Sequence, residues 1–258
     1  MTRPTRGQIL LIPGINGSAG VLMAVAERLV PSLKPIPFDH NQIVADPEVV
    51  ALADLAVAQV PGDEPFYVLG ESFGGPVALT IARRHPNRVR GLVLCATFAR
   101  YPRGSRAAAS LGLSAFERLD ERLAGGLIRG TRAIRAMMFV GLRASSQIRH
   151  AYHAMPVTAP RVYASKARVC LKFDARPWLG EVRCPSLVIS GSLDPVVPAR
   201  AGRELAQLLA HADYLESFAT HHLVHVTRAD TIGGRVEAWL DQVDPGGSST
   251  SARSMPLA

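Results

Sequence analysis

Apolar residues along this chain fall into short unbroken runs. The runs are separated by longer stretches in which apolar positions recur every three or four residues. Gln8-Ile9-Leu10-Leu11-Ile12 is such a run, as are the stretches 65–70, 89–96 (Val89-Arg90-Gly91-Leu92-Val93-Leu94-Cys95-Ala96) and 186–191. A continuous run, rather than an alternation, marks a strand whose sheet is covered on both faces. The intervening stretches at about 19–32, 47–60, 75–84, 198–210 and 222–242 have helical spacing. A short strand is expected near Lys34-Pro35-Ile36-Pro37-Phe38 and a last one over 212–218. Strand and helix alternating in this way predict an α/β fold, a mostly parallel doubly wound sheet with helices on both faces. Ligands of such sheets bind beyond the carboxyl ends of the strands.

The stretch richest in chemistry is Val68-Leu69-Gly70-Glu71-Ser72-Phe73-Gly74-Gly75, which runs on into Pro76-Val77-Ala78-Leu79-Thr80-Ile81-Ala82. It is an apolar strand, then G-x-S-x-G-G, then a helix. A serine at so sharp a strand-to-helix turn adopts a strained backbone and exposes its Oγ as a nucleophile. Gly70 and Gly74 remove side chains that would collide two residues to either side, and Gly75 lets the helix lie close to the strand. The first helical amides add partial positive charge beside the nucleophile. Alone, G-x-S-x-G is a weak signal; between a buried strand and a helix it is specific.

A nucleophilic serine needs a base, and the base needs an orienting group. Strand 186–191 empties into Ser192-Leu193-Asp194-Pro195. Asp194 is there placed to hold an imidazole, although an Asp-Pro pair also opens turns and an aspartate there also suits a helix cap. After strand 212–218 comes Thr220-His221-His222-Leu223-Val224-His225. His222 is the expected base, with His221 the alternative. His225 is expected to be structural or to line the pocket. Glu71, beside the nucleophile, is expected to order the turn rather than to act chemically. A phosphate-binding reading of the glycines in Pro13-Gly14-Ile15-Asn16-Gly17 fails. The chain there has no G-x-G-x-x-G, no Lys-Ser/Thr ending and no acidic ribose partner at the expected distance.

Taken together, Pro13-Gly14-Ile15-Asn16-Gly17, Gly70-Glu71-Ser72-Phe73-Gly74, Gly191-Ser192-Leu193-Asp194 and His221-His222-Leu223 resemble the α/β-hydrolase family in its small serine esterase type. The resemblance runs from about Gln8 to Val243 and is weakest between about Phe98 and Pro177. The chain departs from the family pattern at Pro13, where histidine is frequent, and at His221, where glycine is frequent. The resemblance implies an oxyanion hole from the amides of Ile15 and Phe73, with Gly14 beside the substrate. It implies no cofactor and no metal. Removing one oxyanion donor typically costs roughly 3 kcal/mol of barrier. It also implies a core of residues 1–98 and 178–243, with a helical cap, 99–177, inserted after the sixth core strand. Met137, Met138 and Phe139 of the cap are candidates to line an acyl pocket. Carboxylic ester hydrolysis is the leading activity. Thioesterase, acyltransferase, carbon–carbon hydrolase and haloperoxidase chemistry use the same triad, and a non-catalytic binder on the same fold is a further alternative.

Charge changes this picture at the cap. Between Arg100 and Arg176 there are 15 Lys+Arg and 4 Asp+Glu, a net of +11. The whole chain carries 29 and 21, so the remainder has 14 and 17, a net of −3. A basic cap suits an acidic acyl carrier protein or an anionic lipid, and small family members include esterases acting on acyl groups held by such a carrier. Nucleic acid is not expected, because the segment lacks interleaved aromatics and a recognised binding fold. The 258 residues, 48% of them hydrophobic, suffice for one large core. No 18-residue apolar stretch and no signal-peptide core is present. Cys95, Cys170 and Cys184 are scattered and odd in number, which fits neither a disulfide framework nor a metal site. A cytoplasmic setting is expected. The small polar stretch 244–258 is expected to be a disordered tail.

Overall fold

The computed structural model describes residues 5–29, 32–41, 48–102 and 159–245. Six strands form one sheet: β1 (Gln8–Ile12), β2 (Lys34–Pro37), β3 (Phe66–Glu71), β4 (Val89–Cys95), β5 (Ser186–Gly191) and β6 (Ala212–Ser217). Their order is β2-β1-β3-β4-β5-β6, and every neighbouring pair is parallel. The described helices are α1 (Met23–Leu29), α2 (Val49–Val57), α3 (Gly74–Arg84), α4 (Pro160–Lys172), α5 (Ala199–Leu208), α6 (Val224–Thr227) and α7 (Ala229–Val243).

The unbroken apolar runs have the expected cause. Successive side chains of a strand point to opposite faces. Leu10 and Ile12 of β1 belong to the buried cluster that also holds residues of α2, α3 and α5, whereas Ile9 and Leu11 belong to the one that holds residues of α1 and Ile232, Val236 and Trp239 of α7. Both faces are thus dry, and β3 is buried at all six positions.

Some elements differ from expectation. The stretch expected as one helix over 19–32 opens with a 3-10 turn, Ala19–Leu22, before α1 begins. The helix expected over 222–242 is broken at Arg228 (φ −131°, ψ 33°), whose own N–H still bonds Val224 while its carbonyl starts α7. Among the described residues β4 is the fourth strand in chain order. The segment expected as a cap therefore follows the fourth described strand and not the sixth.

That insert leaves and rejoins the core at one place. Arg100 and Asp174 form an isolated antiparallel bridge, and the Ala175 N–H donates to the Ala99 carbonyl at 2.9 Å. The returning helix α4 opens on Pro160, where a missing N–H is harmless, and buries Val162, Ala164, Lys166 and Cys170. At the other boundary, Asp244, expected as the start of the tail, is held to the core. It accepts a hydrogen bond from Tyr67 Oη at 2.8 Å and pairs with Arg90 at 3.4 Å.

The chain turns in opposite directions after β1 and β3. β1 continues to β2 on one side of the sheet order, and β3 to β4 on the other. The crevice between their carboxyl ends is where a doubly wound sheet binds ligands.

Candidate active site

Ser72 sits between β3 and α3 with φ 51°, a left-handed conformation costly for a residue with a side chain. Hydrogen bonds hold it there. Its N–H donates to the Cys95 carbonyl at 2.9 Å. Its carbonyl accepts from Gly75 N–H at 3.1 Å and from Thr97 Oγ1 at 2.7 Å. Space is as tight as the glycines imply. A Cβ on Gly74 would lie 2.1 Å from the Ile12 carbonyl oxygen, so only glycine lets the elbow approach β1.

Asp194 follows β5 and is buried. Its Oδ1 accepts from the N–H groups of Val196 (2.8 Å) and Val197 (2.9 Å), which fixes the carboxylate and leaves Oδ2 for the histidine. The acid loop and the histidine loop are stitched together by Leu193 N–H to the Thr220 carbonyl (2.9 Å) and Ser192 N–H to the Ser217 carbonyl (3.0 Å). The result places His222 between the other two groups. Nδ1 lies 2.7 Å from Asp194 Oδ2 and Nε2 lies 3.0 Å from Ser72 Oγ. His221 is not in this line. Burial alone pulls the His222 imidazole down; the Asp194 charge and hydrogen bond, with the Glu71 charge behind them, outweigh it and hold His222 above the ordinary histidine range.

The loop after β1 approaches from the other side. Among the described residues, no backbone carbonyl outside regular helices and strands accepts from the Ile15 or Phe73 N–H. The Gly14 backbone lies beside the Glu71 carboxylate and favours its charged form. Met137, Met138 and Phe139 lie outside the described residues.

Four residues matter more than the sequence foretold. Glu71 is buried 3.7 Å from His222 Nε2. Thr97 anchors the elbow. His40 supports the first loop: its Nε2 lies 3.2 Å from the Pro13 carbonyl and its N–H donates to the Gly17 carbonyl at 2.8 Å. Lys166 of α4 is fully buried and donates to the His40 carbonyl at 2.8 Å. These are contacts between distant parts of the chain, and only the Ser-flanking position of Glu71 carried any local signal. Burial pushes Lys166 down to about 8; burial and the Lys166 charge push His40 down to about 4. His225, beside the site, is wholly buried with neither ring nitrogen hydrogen-bonded, and burial with the His222 charge pushes it down to about 3. No group of His, Cys, Asp and Glu among the described residues is arranged to hold a metal ion. No helix among them is long and apolar enough to cross a membrane.

The family described as alpha/beta hydrolase fold matches residues 50–229. A pimeloyl-[acyl-carrier protein] methyl ester esterase of Chromobacterium violaceum is 28% identical over 212 residues, covering 79% of this chain and 82% of that protein. The protein of that name from Neisseria meningitidis serogroup B (strain ATCC BAA-335 / MC58) is 32% identical over 203 residues, 67% of this chain and 72% of that one. Among solved structures, the enol-lactonase of Burkholderia xenovorans LB400 superposes with a TM-score of 0.76 at 20% identity, over 92% of each chain, a likeness of fold.

Proposed function

Because the chain belongs to the α/β-hydrolase fold family and its relatives are methyl ester esterases, we propose that it is a carboxylic ester hydrolase that works through an acyl-enzyme on Ser72. The observation that carries this reading is the line Asp194–His222–Ser72, with contacts of 2.7 and 3.0 Å ending on a serine in a left-handed turn.

In this reading His222 Nε2 takes the Ser72 proton as Oγ attacks the ester carbonyl. Asp194 keeps the Nδ1–H tautomer in place and steadies the imidazolium. The Ile15 and Phe73 amides receive the oxyanion, their positive ends reinforced by the N-terminus of α3. The same proton passes to the alcohol as it leaves. Water, deprotonated by His222, then releases the acid and restores Ser72.

The substrate class this reading favours is an acyl ester carried on an acidic carrier protein. Two observations support it: the names of the relatives, and the net +11 of residues 100–176 against −3 elsewhere. Residues 99–177 are read as a cap, since both their ends are tied at the rim of the core beside β4. One of the cap charges, Lys166, faces inward and is unavailable to a partner.

The test is hydrolysis of p-nitrophenyl esters from acetate to long acyl chains by the wild type and Ser72→Ala, beside an acyl-carrier methyl ester and the same methyl ester free of the carrier. Turnover lost in Ser72→Ala is expected, with a carrier-bound ester preferred at low salt and less so at high salt. Turnover that survives Ser72→Ala would refute the acyl-enzyme. Equal rates on free and carrier-bound esters at every salt concentration would refute the carrier.

A further inference from the structure

Glu71 is a buried ionisable group that the triad mechanism leaves unused. It is the last residue of β3, and its side chain is 4% exposed. One carboxylate oxygen fills space that a side chain at position 14 would occupy: a Cβ on Gly14 would stand 2.4 Å from Oε2. The Gly14 backbone also hydrogen-bonds the carboxylate. The other oxygen, Oε1, lies 3.7 Å from His222 Nε2, the nitrogen that also faces Ser72 Oγ at 3.0 Å. A buried carboxylate needs such partners to remain charged.

We propose that Glu71 is a second carboxylate on the imidazole of His222, a positioning residue that holds the imidazolium formed when Nε2 takes the Ser72 proton and thereby sets the pH at which the site turns on. The proposal rests on the ester-hydrolase reading of Ser72 and His222. During acylation the Oγ–C bond forms, the Oγ proton moves to Nε2, and the new positive charge lies between Asp194 on one edge of the ring and Glu71 on the other. The proton leaves with the alcohol as the C–O bond breaks, and Glu71 itself gains none. At low pH the ring already carries the proton, and Ser72 has no base.

The other titratable groups facing this pair carry no competing charge. Cys95 of β4 and Cys170 of α4 sense Glu71, and burial pushes both thiols up, Cys170 to about 12, so they stay neutral. His225 of α6 faces His222, and burial pushes it down to about 3, so it too is neutral. Among the described residues, Asp194 is the remaining charge that acts on the pair. Glu71 is itself pushed up by burial, against which the His222 charge and the Gly14 hydrogen bond act.

The experiment is the rate of Ser72 labelling by a fluorophosphonate against pH, in the wild type and in Glu71→Gln, which keeps an acceptor for Gly14 and loses the charge. The acidic limb of the profile is expected to fall by about one to three pH units in Glu71→Gln, as removal of a charge at this distance implies. The plateau rate is expected to drop roughly three- to thirtyfold through the weaker base. Glu71→Asp, which keeps the charge but withdraws it, is expected between the two and serves if Glu71→Gln does not fold. An acidic limb that stays in place, whatever happens to the plateau, reduces Glu71 to a structural residue and overturns the proposal while leaving the esterase reading intact. A wild type that the probe never labels overturns both.

Discussion

Two of the buried histidines, His40 and His225, make acidification of this fold a quantitative experiment. Both are neutral in the folded protein because burial pushes them down, to about 4 and about 3, and both return to 6.5 when the chain unfolds. Between 6.5 and those lower values the unfolded chain binds the protons, so stability falls as the pH falls. At pH 5.5, one unit below 6.5, each histidine shifts the balance toward unfolding by about 1.4 kcal/mol, and the pair by about 2.8 kcal/mol. His222 acts in the opposite sense: its folded value is raised, so it adds stability at low pH that is lost as the pH rises past 6.5. Variants separate the two. His225→Leu replaces a ring with two unbonded nitrogens by an apolar side chain of similar volume. At pH 7.5 this variant is expected to be at least as stable as the wild type, since no buried bond is lost. Urea unfolding followed by far-UV circular dichroism at pH 7.5 and 5.5 reads the effect. Between those pH values the wild type should lose about 1.4 kcal/mol more than His225→Leu. His40→Gln, which keeps a donor for Pro13, should show a similar difference. Parallel losses in wild type and variants would refute the reasoning, because a histidine that does not resist protonation when folded contributes no slope.

Asp194→Asn should fold and lose activity about ten-thousandfold in kcat. The N–H groups of Val196 and Val197 hold the side-chain oxygen, so the new amide NH2 faces His222 Nδ1 and forces the tautomer whose Nε2 already carries a proton. Steady-state ester hydrolysis measures this, and a loss under tenfold would argue against the assigned orientation. Thr97→Val removes the donor that grips the Ser72 carbonyl and should cost about 1 kcal/mol in urea unfolding. It should also slow fluorophosphonate labelling severalfold, and an unchanged labelling rate would show that the elbow needs no such anchor.

Much of this architecture is local in origin and could be read from the chain. The run Gln8–Ile12 announces a strand buried on both faces, and Gly70-Glu71-Ser72-Phe73-Gly74 announces the elbow, because sterics there are decided within a few residues. The break at Arg228 was hidden, since the helical spacing continues through it. His222 was separable from His221 only in three dimensions, where Asp194 and Ser72 choose between them. Lys166 carried no local signal for a related reason. A lysine among arginines reads as surface charge, yet this one reaches inward to the His40 carbonyl, a partner 126 residues away. The sequence likewise placed Glu71 beside the nucleophile without showing that it turns toward the imidazole.

The adjoining ends of the segment after β4 bear on how such enzymes diversify. Arg100 lies against Asp174 and Ala99 against Ala175, so the two ends of the segment meet in a narrow neck, while α4 within it also packs on the core. The entropy of closing a loop from such a neck grows only with the logarithm of its length, about 0.6 kcal/mol per doubling. Lengthening, shortening or replacing what lies beyond the neck therefore costs the sheet little, while the triad stays on loops that the sheet alone positions. Mutation can rewrite that segment, under a third of the 258 residues, at nearly constant foldability, and the sheet with its loops is carried forward unchanged.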